Sequence, residues 1–292
     1  MNDIKIKSRA KINLSLDVLA KRPDGYHEVQ MIMQQIDLYD HISITKDFNS
    51  NNISIETDCE FIPTNHTNIA YKAAEVLKNK FKLPFGFKID IKKNIPVAAG
   101  LAGGSANAAG VLKGINELCE LNLTLDDLMD IGVKIGADVP FCLMGSAALA
   151  EGIGENLTPI EGLKNVWIVL AKPSISVSTA EVYRGLDLNN IKNRPDTTLL
   201  LNAIKSRDLN TLSKEMSNVL ETVTEKKYYV IKQLKNKMME FNAMGTMMSG
   251  SGPTVFGIFK NYKKAKAAYE NLSIINKQTY LVQTYTKEKQ LS

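Results

Sequence analysis

The 292-residue chain has few of the residues that build disulfide frameworks and structural metal sites. It contains three cysteines, three histidines and one tryptophan. Cys59, Cys119 and Cys142 show no ligand-like spacing, and an odd number cannot pair completely, so a structural zinc site is not expected. Free cysteines are typical of a reducing compartment.

Long apolar runs and a strong charge of one sign are also missing. No stretch is long enough to span a bilayer, and the first residues lack the apolar region of a signal peptide. The net charge of +5, from 36 basic and 31 acidic residues, is too small and too dispersed to favour a nucleic-acid partner. Lysine groups near 226–237 and 260–266 are interpreted as solvated helix faces. We expect a soluble, cytoplasmic protein with neither nucleic acid nor membrane as partner, while protein partners stay unknown.

Strict alternation of apolar and polar residues distinguishes the first segment, IKIKSRAKINLSLDV. Even positions from Ile4 to Val18 are apolar, with Ser8 as the exception, and odd positions are polar. This period of two predicts a long, half-buried strand. Lys11 and Asn13 then share the polar face, which is directed away from the core.

The following segments alternate between strand and helix patterns. MIMQQID, HISIT and NISIET predict separate strands joined by short polar loops. Helical spacing is found at 67–80, from Ala106 onward and through most of 197–243. Thr124, followed by two aspartates, predicts the start of a helix that ends at Gly136. The pattern indicates an α+β protein.

The segment PVAAGLAGGSANAAG at 96–110 has four glycines, six alanines and no charge. It is not a Walker A loop, because no lysine and hydroxyl close it after Gly103 or Gly104, and the dinucleotide pattern G-x-G-x-x-G also fails. It is a glycine-rich loop that opens into a helix N-terminus, where free N–H groups favour an anion. Small residues would let a polyphosphate touch the backbone. A tight turn with alanines for close packing is the alternative interpretation.

Four stretches together resemble the GHMP small-molecule kinases, and the resemblance covers essentially the whole chain. They are PVAAGLAGGSAN at 96–107, Lys11-Ile12-Asn13, GADVPF at 136–141 and SGSGPT at 249–254. The resemblance implies a two-lobed α+β fold, with an S5 domain 2-like N-terminal lobe at 1–160 and a ferredoxin-like C-terminal lobe at 161–292. It also implies an ATP-dependent kinase with an alcohol acceptor.

The stretch KRPDGYHEVQMIMQQIDLYD at 21–40 is similar, more narrowly, to family members whose acceptor is a cytidine diphosphate ester of methylerythritol. The resemblance implies direct phosphorylation of the 2-hydroxyl of that ester, a step of the non-mevalonate route to isoprenoid precursors.

The resemblance also implies the ATP site. It places Asn68 near adenine, although a helix cap is an equally ordinary role for that residue. Where the superfamily usually has two serines, one of which commonly helps hold magnesium, this chain has Gly103 and Gly104. We therefore expect Mg²⁺ to be carried with ATP and no metal ligand from the protein. The expected phosphate-binding residues are Pro96, Val97, Ala98, Ala99, Gly100, Leu101, Ala102, Gly103, Gly104, Ser105 and Ala106.

Two residues are expected to carry the catalysis. Asp138 is the candidate base for the acceptor hydroxyl, and Lys11 is its electrostatic partner. Outside the resemblance, Asp138 is as easily interpreted as a helix cap and Lys11 as a solvated strand lysine.

The acceptor site is expected to stack aromatic rings on cytosine and to place a polar group at its edge. Tyr26 and Tyr183 match the stacking positions, the second often being phenylalanine in the family, and His27 matches the base edge. Packing at a rim and closure of the Asp24-Gly25 turn are the simpler roles for these residues. The expected acceptor-binding residues are Asn13, Tyr26, His27, Thr179, Tyr183, Gly250, Ser251 and Gly252.

Two other functions remain open. Another GHMP kinase, of the homoserine or mevalonate type, would not need Asp24-Gly25-Tyr26-His27. A non-catalytic nucleotide sensor on the same fold would keep the glycine loop and lose Lys11 or Asp138, and both are present.

Overall fold

The computed structural model describes residues 2–287, which form ten strands, ten α-helices and one short 3₁₀ helix, Leu188–Asn190. The strands are β1 (Asp3–Lys21), β2 (His27–Asp47), β3 (Ile53–Thr57), β4 (Gly86–Lys92), β5 (Ala147–Glu151), β6 (Asn156–Pro159), β7 (Trp167–Ala171), β8 (Gly245–Met248), β9 (Val255–Phe259) and β10 (Thr279–Gln283). The helices are α1 (Ile69–Lys80), α2 (Gly103–Leu118), α3 (Leu125–Val133), α4 (Val139–Met144), α5 (Thr179–Arg184), α6 (Thr197–Ser206), α7 (Leu209–Glu215), α8 (Glu221–Lys227), α9 (Val230–Glu240) and α10 (Tyr262–Ile275).

The described residues divide into two compact units that interleave along the sequence. The first unit holds residues 2–10, 38–97 and 102–144. The second unit holds residues 11–37, 98–101 and 145–287. A domain boundary near residue 160 stays a prediction. No helix in the described range is long and apolar enough to cross a membrane.

The first unit packs helices α1 to α4 with strands of a mixed sheet. β2 pairs antiparallel with β4 from His41↔Lys92 to Asp47↔Gly86, and β3 pairs parallel with β4. Alternate residues of these strands face the core, as the period of a strand requires. The fully buried side chains include Ile42, Ile44, Ile89, Ile91, Leu77, Val111, Leu112 and Ile115.

Helix α2 lies unusually close to the strands through its small residues. A Cβ added at Gly110 would be 2.2 Å from the Ser8 Oγ, and one at Gly114 would be 2.6 Å from the Ile44 Cδ1. Since no side chain fits in these gaps, close packing of the helix on the strands explains why small residues occupy the end of 96–110.

The second unit contains a four-stranded antiparallel sheet in the order β10-β7-β9-β8. β7 and β9 are its central strands and carry almost continuous apolar sequence, WIVLA and VFGIF, which is buried. In the same unit β2 pairs with β5, and β5 with β6. Helices α9 and α10 contact this four-stranded sheet.

The prediction of a half-buried first strand is right for the start of β1 and wrong for its second part. From Ala10 to Val18 both sets of alternating residues are buried, including Lys11, Asn13, Ser15 and Asp17. Other segments of the second unit are hydrogen-bonded to the backbone of this part of β1. The Leu16 N–H donates to the Ser217 carbonyl at 3.0 Å, and the Lys11 N–H donates to the Leu101 carbonyl at 3.1 Å.

The prediction of separate strands at MIMQQID and HISIT is also wrong, because both lie in the continuous strand β2. The polar residue Asp40, between the two segments, is fully buried and accepts hydrogen bonds from the backbone N–H groups of Asn94 and Ile95. These N–H groups, distant in the sequence, therefore supply the hydrogen bonds that water would otherwise have to make to a polar residue in mid-strand.

The helix predictions agree better with the structure. The helix expected at 67–80 is α1, and the one expected from Ala106 begins earlier, at Gly103. Thr124 caps α3 and forms a capping box with Asp127, as its sequence predicts. That helix ends at Val133 rather than Gly136.

Candidate active site

The N-terminus of α2 has no side-chain cap. The residue before the helix, Ala102, has a left-handed backbone (φ 56°) and supplies no capping hydrogen bond, and no acidic residue lies in the first turn. The N–H groups at the start of an uncapped helix and its dipole together attract anions. This geometry suits the phosphate-binding role expected of Gly103, Gly104 and Ser105.

A buried carboxylate organises the approach to that helix. Asp40, fully buried, accepts hydrogen bonds from the Asn94 N–H at 2.8 Å, the Ile95 N–H at 2.9 Å and the Asn107 Nδ2 at 2.8 Å, and pairs with the buried Lys93 ammonium. It therefore fixes the segment before the loop and the second turn of α2. The sequence reasoning missed Asp40. Its position, as a charged residue within a strand pattern, is the signal that could have found it.

The packing of neighbouring protein atoms also gives a reason for glycine at position 103, in addition to room for a phosphate. A Cβ there would lie 3.0 Å from the Ile95 Cγ2 and 3.4 Å from the Lys93 Nζ. The tight-turn interpretation of the loop therefore describes part of the structure, alongside the open helix terminus.

The two glycine segments of the sequence meet within the second unit. Gly100 has a φ of +73°, and a Cβ there would lie 2.2 Å from the Ser249 carbonyl oxygen. The Ser249 hydroxyl donates to the Gly100 carbonyl at 2.9 Å. Ser249 begins the loop that joins the antiparallel strands β8 and β9, so SGSGPT forms the connection of a β-hairpin.

Lys11 and Asn13 lie beside these segments and are buried. Lys11 is 4% exposed and donates from Nζ to the Asn13 Oδ1 at 2.7 Å. A Cβ added at Gly250 would lie 3.7 Å from the same Asn13 oxygen. The interpretation of Lys11 as a solvated strand lysine is therefore wrong. Burial of an ammonium group is costly unless polar groups surround it. A lysine that is buried at this position therefore indicates a specific role for its charge.

Two pairs of the residues expected around the acceptor make contacts within the second unit. The rings of His27 and Tyr183 have centroids 5.0 Å apart and are tilted by 41°. Tyr26 is 60% exposed. The hydroxyls of Thr179 and Ser251 are 2.8 Å apart, so a hydrogen bond joins α5, which carries Tyr183, to the glycine loop.

The turn before His27 is closed without the imidazole. The Asp24 carboxylate accepts from the Tyr26 N–H at 3.0 Å and from the Arg22 Nε at 3.1 Å. The Arg22 N–H donates to the Tyr26 carbonyl at 2.8 Å. Asp24 and Arg22 therefore close the turn, while the imidazole of His27 contacts Tyr183.

Asp138 and Asn68 lie in the first unit. Asp138 is half-buried, directly precedes α4, and its carbonyl accepts from the Cys142 N–H at 3.1 Å. Asn68 is the N-cap of α1: its Oδ1 accepts from the Ala70 N–H at 2.9 Å, and its Nδ2 donates to the Pro63 carbonyl at 2.7 Å. The capping interpretation of Asn68 is confirmed, and its place near adenine stays a prediction.

Residues 2–287 contain no group of three or more histidine, cysteine, aspartate or glutamate side chains that could hold a metal ion. The described side chains therefore do not form a metal-binding cage of their own.

Two family models match the chain. The model of the GHMP kinases N terminal domain matches residues 68–146, and the model of the GHMP kinases C terminal domain matches residues 200–277. A crystal structure of a 4-(cytidine 5'-diphospho)-2C-methyl-D-erythritol kinase superposes with a TM-score of 0.85 at 29% identity, over 97% of this chain and all of the other. A homoserine kinase from Cytophaga hutchinsonii shares the fold, with a TM-score of 0.77 at 16% identity over 98% of this chain and 95% of that one.

Fold and site thus define an ATP-dependent small-molecule kinase with the predicted α+β GHMP fold. The chain is 62% identical to 4-diphosphocytidyl-2-C-methyl-D-erythritol kinase of Alkaliphilus metalliredigens, over 99% of both chains. It is 54% identical to the enzyme of that name from Clostridioides difficile, over 98% of this chain and 97% of the other. Within the GHMP class, the chain belongs to the 4-diphosphocytidyl-2-C-methyl-D-erythritol kinase family.

We expect Gly100→Ala to destabilise the protein by at least about 2 kcal/mol, because a left-handed backbone at a non-glycine residue costs about 1–3 kcal/mol and the new Cβ would also strike the Ser249 carbonyl. Gly104→Ala is the control, since its Cβ would meet only Ile69, at 3.4 Å. Thermal and denaturant unfolding of both variants measure the difference. Equal stability of the two variants would show that the Ser249 backbone does not restrict the residue at position 100.

We expect the His27 imidazole to be mainly neutral at pH 7, because burial, and secondarily the charge of Lys21, lower its pKa. A depressed pKa in the folded state means that the contribution of His27 to stability is lost as the pH falls below the usual histidine range. An NMR titration assigned with His27→Gln measures the pKa. Lys21→Gln should raise it only partly, because burial remains. A pKa at or above that of a free histidine would contradict this account.

Proposed function

We propose that this chain transfers the γ-phosphoryl group of ATP to the 2-hydroxyl of 4-diphosphocytidyl-2-C-methyl-D-erythritol, in the non-mevalonate route to isoprenoid precursors. The observation that carries the proposal is 62% identity over 99% of both chains to a relative of that name. The contact of His27 with Tyr183 supports the choice of acceptor, because a cytosine ring needs aromatic faces and a polar edge group.

The triphosphate of ATP is proposed to lie at the N-terminus of α2, bound by backbone N–H groups in the loop from Pro96 to Ala106. The uncapped first turn supports this assignment, and Asp40 and Lys93 hold the loop at its entry. Asn68 is proposed to contact adenine in addition to capping α1. Mg²⁺ is proposed to accompany the nucleotide, where it would neutralise phosphate charge.

The transfer itself is proposed to be direct. The Asp138 carboxylate accepts the proton of the acceptor hydroxyl, whose oxygen forms a bond to the γ-phosphorus. The bond from that phosphorus to the bridging oxygen breaks, and ADP leaves. The Lys11 ammonium stabilises the negative charge that develops. Burial of Lys11 supports its role, because a charge acts more strongly where water is excluded.

The acceptor is proposed to bind along the second unit. Tyr26 and Tyr183 stack on the cytosine, and a neutral His27 meets its edge. Thr179 and Ser251, joined by their hydroxyls, supply hydrogen bonds, and Gly250 and Gly252 leave room for the diphosphate close to the backbone. Asn13 orients Lys11 through its side-chain oxygen.

We further propose domains at 1–160 and 161–292 and a cytoplasmic location. The two family-model matches, at 68–146 and 200–277, fall on opposite sides of residue 160. The free state of Cys59 and Cys119 supports a reducing compartment.

A panel of acceptors tests the proposed function against the homoserine and mevalonate alternatives. Purified protein with ATP and Mg²⁺ is offered each alcohol, and ADP release and a new phosphomonoester signal in ³¹P NMR are recorded. We expect phosphorylation of the cytidine diphosphate ester alone. Comparable turnover of homoserine or mevalonate would support those activities instead, and tight ATP binding without turnover of any acceptor would support the nucleotide sensor.

We expect Asp138→Asn to reduce kcat by about a hundredfold to ten-thousandfold, the range typical of general base catalysis. The amide keeps the volume of the side chain and cannot accept the proton, so ATP affinity measured by calorimetry should stay near that of the unaltered protein. A kcat within about tenfold of the unaltered value would rule out Asp138 as the base.

We expect Tyr183→Ala to weaken acceptor binding about tenfold or more, because stacking of an aromatic ring on a base contributes about 1–3 kcal/mol. Tyr183→Phe keeps the ring and is the matched control, with little change. Both variants should bind ATP as before, which calorimetry with each substrate separately can show. Equal losses in the two variants would point to the hydroxyl group rather than the ring.

A further inference from the structure

Asn218 holds the second glycine loop from one side. It lies between α7 and α8 and is 3% exposed. Its Nδ2 donates to two carbonyl groups, that of Met248 at 2.9 Å and that of Gly250 at 2.8 Å. Its Oδ1 accepts from the Leu220 N–H at 3.0 Å. A turn-forming asparagine needs only the last of these bonds, so the two bonds to the loop require another explanation.

Glu221, three residues further along the chain, holds the last residue of β8, directly before the same loop. Its carboxylate accepts from the Met248 N–H at 2.5 Å and from the Lys235 Nζ at 2.6 Å. Lys235 also donates to Glu225 at 2.7 Å. The interpretation of the 226–237 lysines as solvated is therefore wrong for Lys235, whose side chain is 21% exposed. A largely buried carboxylate is costly unless paired, and here its partners are the Lys235 ammonium and the N–H of Met248 directly before the loop.

The backbone on either side of Asn218 is itself hydrogen-bonded to β1. The Leu16 N–H donates to the Ser217 carbonyl, and the Val219 N–H donates to the Leu16 carbonyl, both at 3.0 Å. β1 is the strand that carries Lys11 and Asn13. Asn218 thus links that strand to the backbone of Met248 and Gly250 through contacts that all lie in the second unit.

We propose that Asn218 and Glu221 are positioning residues that hold the loop Ser249–Gly252 in register with Lys11 and Asn13 on β1. The inference rests on the proposed function, because the loop is proposed to bind the acceptor. Ser249 contacts Gly100 and Ser251 contacts Thr179, so a displaced loop would disturb both of these contacts. Neither Asn218 nor Glu221 needs to touch a substrate for this role.

Asn218→Ala tests the proposal with two readouts. We expect kcat/KM for the acceptor to fall about tenfold to a hundredfold, the effect of misplacing a binding group by about 1 Å, while the Kd of ATP changes less than about threefold. Amide hydrogen exchange at 249–252 should accelerate. Asn276→Ala is the matched control: its Nδ2 also donates to a backbone carbonyl, that of Gln278, away from the loop. It should leave both readouts unchanged.

The pair Glu221→Ala and Glu225→Ala keeps the proposal testable if Asn218→Ala does not fold. Both remove a carboxylate bound to Lys235, and only the first removes the hydrogen bond to Met248, the residue before the loop. We expect faster exchange at 249–252 and a lower acceptor kcat/KM in Glu221→Ala alone. Equal effects in both variants, or a folded Asn218→Ala with unaltered kinetics and exchange, would overturn the positioning role.

Hydrogen exchange separates this proposal from the proposed function. If the unaltered protein does not phosphorylate the cytidine ester, the proposed function fails, and exchange at 249–252 still decides whether Asn218 and Glu221 hold the loop. If the unaltered protein is active and exchange is the same in all variants, the positioning role alone is wrong.

Discussion

The close packing of Gly100 on Ser249 is the constraint on which the rest of the candidate site depends. Because no Cβ fits between these two backbones, each glycine segment fixes the other. The Ser249 hydroxyl closes the contact, and the Lys11 N–H bonds to the next carbonyl, that of Leu101. The strand with the proposed electrostatic partner, the start of the phosphate loop and the proposed acceptor loop are therefore held by one set of backbone contacts.

The polar residues of this region are buried, and their burial makes each hydrogen bond costly to lose. Lys11 and Asn13 are buried together, and the Nδ2 of Asn218 donates to the carbonyl groups of Met248 and Gly250. Polar groups held in this way are rigid, since each lost bond would leave a buried donor or acceptor unpaired. Rigid, partly dehydrated positions are suited to phosphoryl transfer, where alignment and charge stabilisation do most of the work.

Local sequence signals predicted the local structure well and the long-range structure poorly. The capping box of Thr124 and the helix at 69–80 depend on neighbours in the chain, and the sequence shows both. Segments near 101 and 217 hydrogen-bond to Lys11 and Leu16 in the buried part of β1, and the continuity of β2 at Asp40 depends on N–H groups 54 and 55 residues away. The family motifs identified most candidate residues. They did not reveal Asp40, Asn218 or Glu221, whose partners become visible only in the folded chain.

The most direct test of the account is a crystal structure with a non-hydrolysable ATP analogue and 4-diphosphocytidyl-2-C-methyl-D-erythritol bound together. The account predicts the triphosphate within about 3 Å of backbone nitrogens at the start of α2, and the cytosine against Tyr183 with its edge at His27. It also predicts the 2-hydroxyl within hydrogen-bond distance of the Asp138 carboxylate. A cytosine bound away from His27 and Tyr183, or a 2-hydroxyl out of reach of Asp138, would contradict it.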